Sequence, residues 1–195
     1  METNLAYKFE EERREEIING EVVMMSAPEL RHVFIAGNLY CAFSDYLDNQ
    51  PFIAIPSGAA LFLEEGTEEY QPDMMVVCDK NKLQDDGVHG APDLVVEVLS
   101  PSTGRNDKRH KKDMYEKHGV REYWIVSPGE QSIEQYVLEN GRFVLRDVYS
   151  RYPEFMLLDM SDAEKAALVT EFHPALFEDL TIRLDSVFKD IMPGA

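Results

Sequence analysis

The run Leu94-Val95-Val96-Glu97-Val98-Leu99 sets one carboxylate among five branched aliphatic residues. So continuous an apolar stretch is the mark of a strand covered on both faces. Ser100-Pro101-Ser102-Thr103-Gly104 breaks it, a basic segment over 105–118 follows and stops at Gly119, and Tyr123-Trp124-Ile125-Val126 is apolar again. Strand, helix, strand in succession predicts a parallel pair joined by a right-handed crossover. The chain is therefore expected in the α/β (α+β) class, as a mixed β-sheet flanked by helices.

The remaining segments fill in that frame. Residues 8–16 are charged and helix-permissive, and Ile17-Ile18-Asn19-Gly20-Glu21-Val22-Val23 reads as an N-terminal hairpin turning on Asn-Gly. Ser26-Ala27-Pro28-Glu29 has the spacing of a capping box and predicts a long helix to about residue 48. The apolar face of that helix is wide enough to predict burial on two sides, against a sheet and against a second subunit. Strands are expected at 52–55, 59–63 and 74–78, with polar loops at 64–71 and from 79 to 90. Residues 133–138 and 143–148 flank Asn140-Gly141 as a second hairpin. The tail, 161–192, is expected to be partly helical, with Leu184, Val187, Phe188 and Ile191 on one face. No repeat or low-complexity linker divides the 195 residues, so one domain is expected: hairpin and helix over 1–50, core over 51–126, second hairpin and tail over 127–195.

Net charge narrows the function classes. At −18 the chain as a whole repels phosphate, and a nucleic-acid partner needs a local basic face instead. Arg105, Lys108, Arg109, Lys111 and Lys112 form the densest basic cluster. A solvated helix face explains such a run equally well. No apolar run approaches the ~20 residues of a membrane helix, and the polar, acidic start is not that of a secretory signal. Cys41 and Cys78 lie in apolar surroundings, which predicts two buried thiols in a reduced, cytoplasmic setting.

Glu97 is the most informative position. A lone carboxylate inside an apolar strand is costly unless it is paired or binds a metal ion. Val95 and Leu99 share its face by the period of two, which argues against an exposed edge. Asp73, fixed by Pro72 at the mouth of the 74–78 strand, supplies a second acid of the kind that holds a hard divalent cation. A turn-forming Asp is the plain alternative there, and it suits Asp93 after Pro92 better. Lys111 shares a helix face with Asp107 and Tyr115, and a crossover helix can turn that face toward Glu97. An ordinary Asp107–Lys111 pair accounts for the same spacing. The five histidines show no metal-ligand spacing, and there is no glycine-rich phosphate loop or serine elbow.

Pro72-Asp73, the block from Pro92 to Thr103, Asp107, Lys111 and Tyr115, and Gly119 through Val126 together resemble a large bacterial family of putative restriction endonucleases, placed in the PD-(D/E)xK nuclease superfamily. The likeness extends to Asn19 through Pro28 and to His32. It implies a restriction-endonuclease-like fold and a Mg²⁺- or Mn²⁺-dependent nuclease acting on DNA, with a homodimer expected for cutting both strands. It implies Asp73 and Glu97 as metal-binding carboxylates, the Val98 carbonyl as a further ligand, and Glu21 as a third acid. The superfamily's lysine two residues after the acid is Leu99 here, and the resemblance points to Lys111 in its stead. Arg105, Lys108, Arg109 and Lys112 are the expected phosphate contacts. Two alternatives remain: a catalytically silent nuclease fold used as a binding module, and a structural homo-oligomer with Glu97 in a buried salt bridge.

Overall fold

Both Asn-Gly pairs turn the chain as their chemistry demands. Asn19 and Gly20 have φ of 53° and 77°, Asn140 and Gly141 have 52° and 78°, and two successive left-handed residues are what a tight hairpin turn requires. The computed structural model describes residues 15–100 and 104–191, apart from the side chains of Arg105 and Glu154. The first hairpin is β1 (Glu15–Ile18) and β2 (Glu21–Met24), followed by helix α1 (Leu30–Leu47). Then come β3 (Ile53–Pro56), β4 (Ala60–Glu64), β5 (Glu68–Tyr70), β6 (Met74–Val77), β7 (Leu83–Gln84), β8 (Gly87–His89) and β9 (Leu94–Val98). The crossover runs through α2 (Gly104–Asn106), a π-helical turn (Asp107–Lys111) and α3 (Lys112–His118) to β10 (Glu122–Ser127). The second hairpin, β11 (Ser132–Glu139) and β12 (Arg142–Ser150), precedes α4 (Glu154–Leu157), α5 (Asp162–Ala166), β13 (Glu171–Phe172), β14 (Ile182–Arg183) and α6 (Leu184–Val187).

The strands form two mixed sheets and a small pair. The central sheet has the order β12-β11-β10-β9-β6-β3, and the N-terminal sheet β2-β1-β5-β4-β8-β7. The pair expected to be parallel is so: β9 runs beside β10 with Val95 opposite Tyr123. On one face of β9, Leu94, Val96 and Val98 pack with Ile35, Leu39 and Phe43 of α1 and with the C-terminal Phe172, Phe177 and Phe188. On the other face, Val95 packs with Tyr115 of α3 and with Leu61 and Tyr70 of the N-terminal sheet. Both faces are therefore covered, which is why all five β9 residues are buried.

Several local expectations need correction. The capping box does not form: α1 starts at Leu30, and its N-cap, Glu29, makes no capping bond because its carboxylate holds Arg31 at 2.6 Å. Residues 8–14 lie outside the described residues, but Glu15 and Glu16 belong to a strand, held in register with Met24 and Val23. The expected loop at 64–71 contains β5, whose polar sequence hides an alternation with Glu68 and Tyr70 facing inward. The next loop contains β7 and β8. Cys41 is exposed and Cys78 half-buried, so neither is the fully buried thiol expected. On α1 the sheet covers Ile35, Leu39, Phe43 and Leu47, while Leu30, Val33 and Phe34 are exposed. Among the described residues, no helix is long and apolar enough to cross a membrane.

Candidate active site

β6 and β9 are antiparallel, with Met74 opposite Val96, and one further step of that register sets Asp73 against Glu97. Asp73 lies at the strand mouth because Pro72, which has no N–H to give a ladder, precedes it. Its Oδ2 accepts the Val98 N–H at 2.7 Å and lies 3.1 Å from His32 Nε2. The carboxylate is thus tied to the backbone of β9 and to the first turn of α1. Grooves open on both sides of His32. One is lined by Pro28, His32, Tyr40, Pro56 and Asp73, the other by Arg31, His32, Leu99, Ser100 and Ser127.

Glu97 faces the crossover helix. Its Oε1 accepts the Tyr115 hydroxyl at 2.7 Å and Lys111 Nζ at 3.1 Å. Lys111 is 1% exposed, and its ammonium also lies 2.8 Å from Glu16 Oε1 and 3.4 Å from Asp107 Oδ1. The Asp107–Lys111 pair expected from spacing is therefore present, and the same lysine reaches the strand acid as well. The π-helical turn carrying both residues is braced by the Tyr123 hydroxyl, which donates to the Asp107 carbonyl at 3.0 Å.

The electrostatics record an excess of acid. Burial pushes the Glu97 carboxyl well above its ordinary value; Lys111 opposes the rise, and the charges of Asp107, Asp73 and Glu16 add to it. Burial acts to lower the Lys111 ammonium, but Glu97, Glu16 and Asp107 outweigh it and hold the group well above its ordinary value. Burial, then the charge on Glu97, raises the Tyr115 phenol in the same way. One lysine faces Glu16, Glu97 and Asp107, so acids outnumber the base in this buried cluster.

The acids here are of the type that could hold a hard cation. Mg²⁺ binds through one or two carboxylates and otherwise keeps water or substrate oxygens. Asp73 and Glu97 could supply such a pair beside the Val98 backbone. Among the described residues there is no ready-made group of three or more His, Cys, Asp or Glu side chains that could hold a metal ion.

Other expected site residues fall elsewhere. Glu21 is exposed on β2, and the acid the hairpin delivers to Lys111 is Glu16. Asp93 accepts the Cys78 N–H at 2.8 Å and approaches Arg121 at 3.4 Å, a structural tie between β6 and the start of β10. Ser102 and Thr103 lie outside the described residues, as does the Arg105 side chain. Lys108 is paired with Glu134 at 2.7 Å, and Lys112 lies 3.6 Å over the Tyr136 ring. Arg109 is exposed. Sequence reasoning missed Glu16, Glu68 and any role for His32. Glu16 was within reach, since the period of two puts it on the inward face of β1 with Ile18, whereas nothing local to Glu68 marks its bond to His110 at 2.9 Å.

Residues 1–164 match the family Uma2, described as putative restriction endonuclease. Two uncharacterized Synechocystis proteins are similar: one is 26% identical over 126 residues, covering 63% of this chain and 71% of that protein. The other is 30% identical over 133 residues, covering 66% and 70%. A solved structure from Anabaena variabilis, of a putative nuclease belonging to DUF820, superposes with a TM-score of 0.67 at 19% identity over 91% of this chain and 90% of that one. At that identity the likeness is one of fold.

Proposed function

The chain belongs to the Uma2 family of putative restriction endonucleases, and on that premise we propose that it is a divalent-metal-dependent endonuclease hydrolysing phosphodiester bonds in DNA. The observation that carries the reading is the opposition of Asp73 and Glu97 across β6 and β9, with Lys111 Nζ 3.1 Å from Glu97. Asp73, Glu97 and the Val98 carbonyl would hold Mg²⁺ or Mn²⁺. When bound there, such a cation would lower the pKa of a coordinated water and offset charge on the phosphate. The chain's own groups do the rest. The Val98 N–H and His32 fix the Asp73 carboxylate, and Tyr115 fixes that of Glu97. Lys111 orients the attacking water and stabilises the charge that develops on phosphorus oxygens. Arg109, exposed on the crossover helix, is the cation we assign to the DNA backbone. We take residues 1–195 to work as one domain, and as a cytoplasmic homodimer, since a double-strand cut needs two sites.

Thermal melting of wild type and Glu97→Gln, each with and without millimolar Mn²⁺, tests this. At a hundredfold excess over Kd, the cation should stabilise the wild type by about 2.7 kcal/mol, roughly 5–10 °C for a chain of this size, and leave the variant unmoved. Nuclease assays on varied DNA then follow. A wild-type midpoint indifferent to Mn²⁺ would reject the proposal and favour a silent nuclease-fold module. That second reading draws on how fully the cations are engaged: besides Lys108, Lys117 pairs with Glu64 and Arg142 with Glu116.

A further inference from the structure

Lys111 stands closer to Glu16 than to either of its other acids: 2.8 Å, against 3.1 Å to Glu97 and 3.4 Å to Asp107. Glu16 is itself held, since its Oε1 accepts the Gln71 N–H at 3.0 Å and its residue is 3% exposed in β1. The neighbouring strand repeats the arrangement. Glu68 of β5, 4% exposed, holds His110 at 2.9 Å. Two successive helix residues are thus gripped by two inward-facing carboxylates of the N-terminal sheet.

This grip answers a problem posed by Leu99. A lysine carried on a helix is not fixed by the strand that carries the acid. If Glu97 were its main counter-charge, a cation taking Glu97 would strip the ammonium of its partner in a buried site, where an unpaired charge is costly. We infer that Glu16 is the positioning residue for Lys111, keeping its ammonium beside the site while the Glu97 carboxylate is engaged by a divalent cation. The inference rests on the reading of Asp73 and Glu97 as cation ligands. It assigns the N-terminal hairpin a part in the site through Glu16.

The test follows Lys111 directly. Full-length wild type and Glu16→Gln are treated with a water-soluble acetylating ester, with and without millimolar Mn²⁺, and labelling is mapped by peptide mass spectrometry. Glutamine keeps an acceptor for the Gln71 N–H while removing the charge. Wild-type Lys111 should stay protected in both conditions. In Glu16→Gln it should be protected without Mn²⁺ and label about tenfold faster with it, a coupling of ordinary size between neighbouring groups, while Lys108 and Lys112 label unchanged. General loosening would raise labelling regardless of Mn²⁺, so equal gains in both conditions overturn the inference. So does Mn²⁺-dependent labelling of wild-type Lys111, or a Glu16→Gln protein that binds Mn²⁺ and keeps Lys111 protected. Mn²⁺ binding is read in parallel from melting curves. Its absence in the wild type sinks the metal reading and this inference together, whereas the other failures sink the inference alone. If Glu16→Gln does not fold, Glu16→Asp, which keeps the charge but shortens the reach, is read by the same criteria.

Discussion

Glu97→Gln in the metal-free protein separates a ligand from a structural counter-ion. Removing one member of a buried ion pair typically costs about 3–5 kcal/mol, because the other charge is left unpaired. Lys111 would not be left so, since it keeps Glu16 at 2.8 Å and Asp107 at 3.4 Å. Glutamine also retains an oxygen able to accept from Tyr115 and Lys111. What disappears is a charge that burial and three neighbouring carboxylates already oppose. The expected change is within about 1 kcal/mol in either direction, or about 2–4 °C in melting midpoint. The pH dependence carries a definite sign. A carboxyl whose pKa is raised by folding contributes its full stability below the unfolded value near 4.5, and loses it as pH climbs through the folded value. Wild type should therefore lose ground to Glu97→Gln as pH rises from the ordinary carboxyl value near 4.5 toward the raised folded value. Melts of both proteins across that range, in the presence of a chelator, give the answer. A loss of about 3 kcal/mol or more in the variant, or a gap that closes with rising pH, would refute the reasoning and make Glu97 the indispensable partner of Lys111.

Three other outcomes follow from groups away from the site. Glu122 accepts from Trp124 Nε1 at 2.7 Å, Gln135 Nε2 at 2.6 Å and the N–H groups of Ala175 and Leu176 at 3.0 and 2.9 Å. Glu122→Ala strands four donors at about 1–3 kcal/mol each, so a loss of at least about 4 kcal/mol is expected in urea unfolding, and a wild-type midpoint would disprove the clamp. At Gly87, φ is 151° and an added Cβ would collide with the Ala60 carbonyl oxygen. Gly87→Ala should cost about 2 kcal/mol, and unchanged stability by the same assay would contradict the close β4–β8 approach. Burial pushes the Cys78 thiol up to about 12, whereas Cys41 is exposed. A maleimide should label Cys41 in the native protein well before Cys78, and equal rates would overturn that assignment.

What the sequence made legible was whatever depends on spacing along one element. The covered strand at 94–98, the parallel partner at 122–127, the Asn-Gly turns and the shared face of Asp107, Lys111 and Tyr115 are all of that kind. Glu97 was picked out because a carboxylate among aliphatics needs a reason to be there, and Asp73 because Pro72 sets it at the mouth of a strand. Glu16 shows the limit. It shares the inward face of β1 with Ile18, but the charged run over 8–16 read as helix-permissive, so its alternation went unread. Pairing between distant strands leaves no trace in local composition, so β5 passed for a loop. The engagement of Lys108 with Glu134 was hidden for the same reason, because its partner lies on β11.

The contacts of Lys111 differ greatly in how far along the chain they reach. Glu97 is 14 residues away, across a crossover that can close early, whereas Glu16 lies nearly half the chain away. Closing the longer loop costs more entropy, since the cost grows with the logarithm of loop length. The Glu16 contact therefore acts as a long-range staple between the N-terminal sheet and the crossover helix. Any local opening that frees β1 leaves the lysine to Glu97 and Asp107 alone.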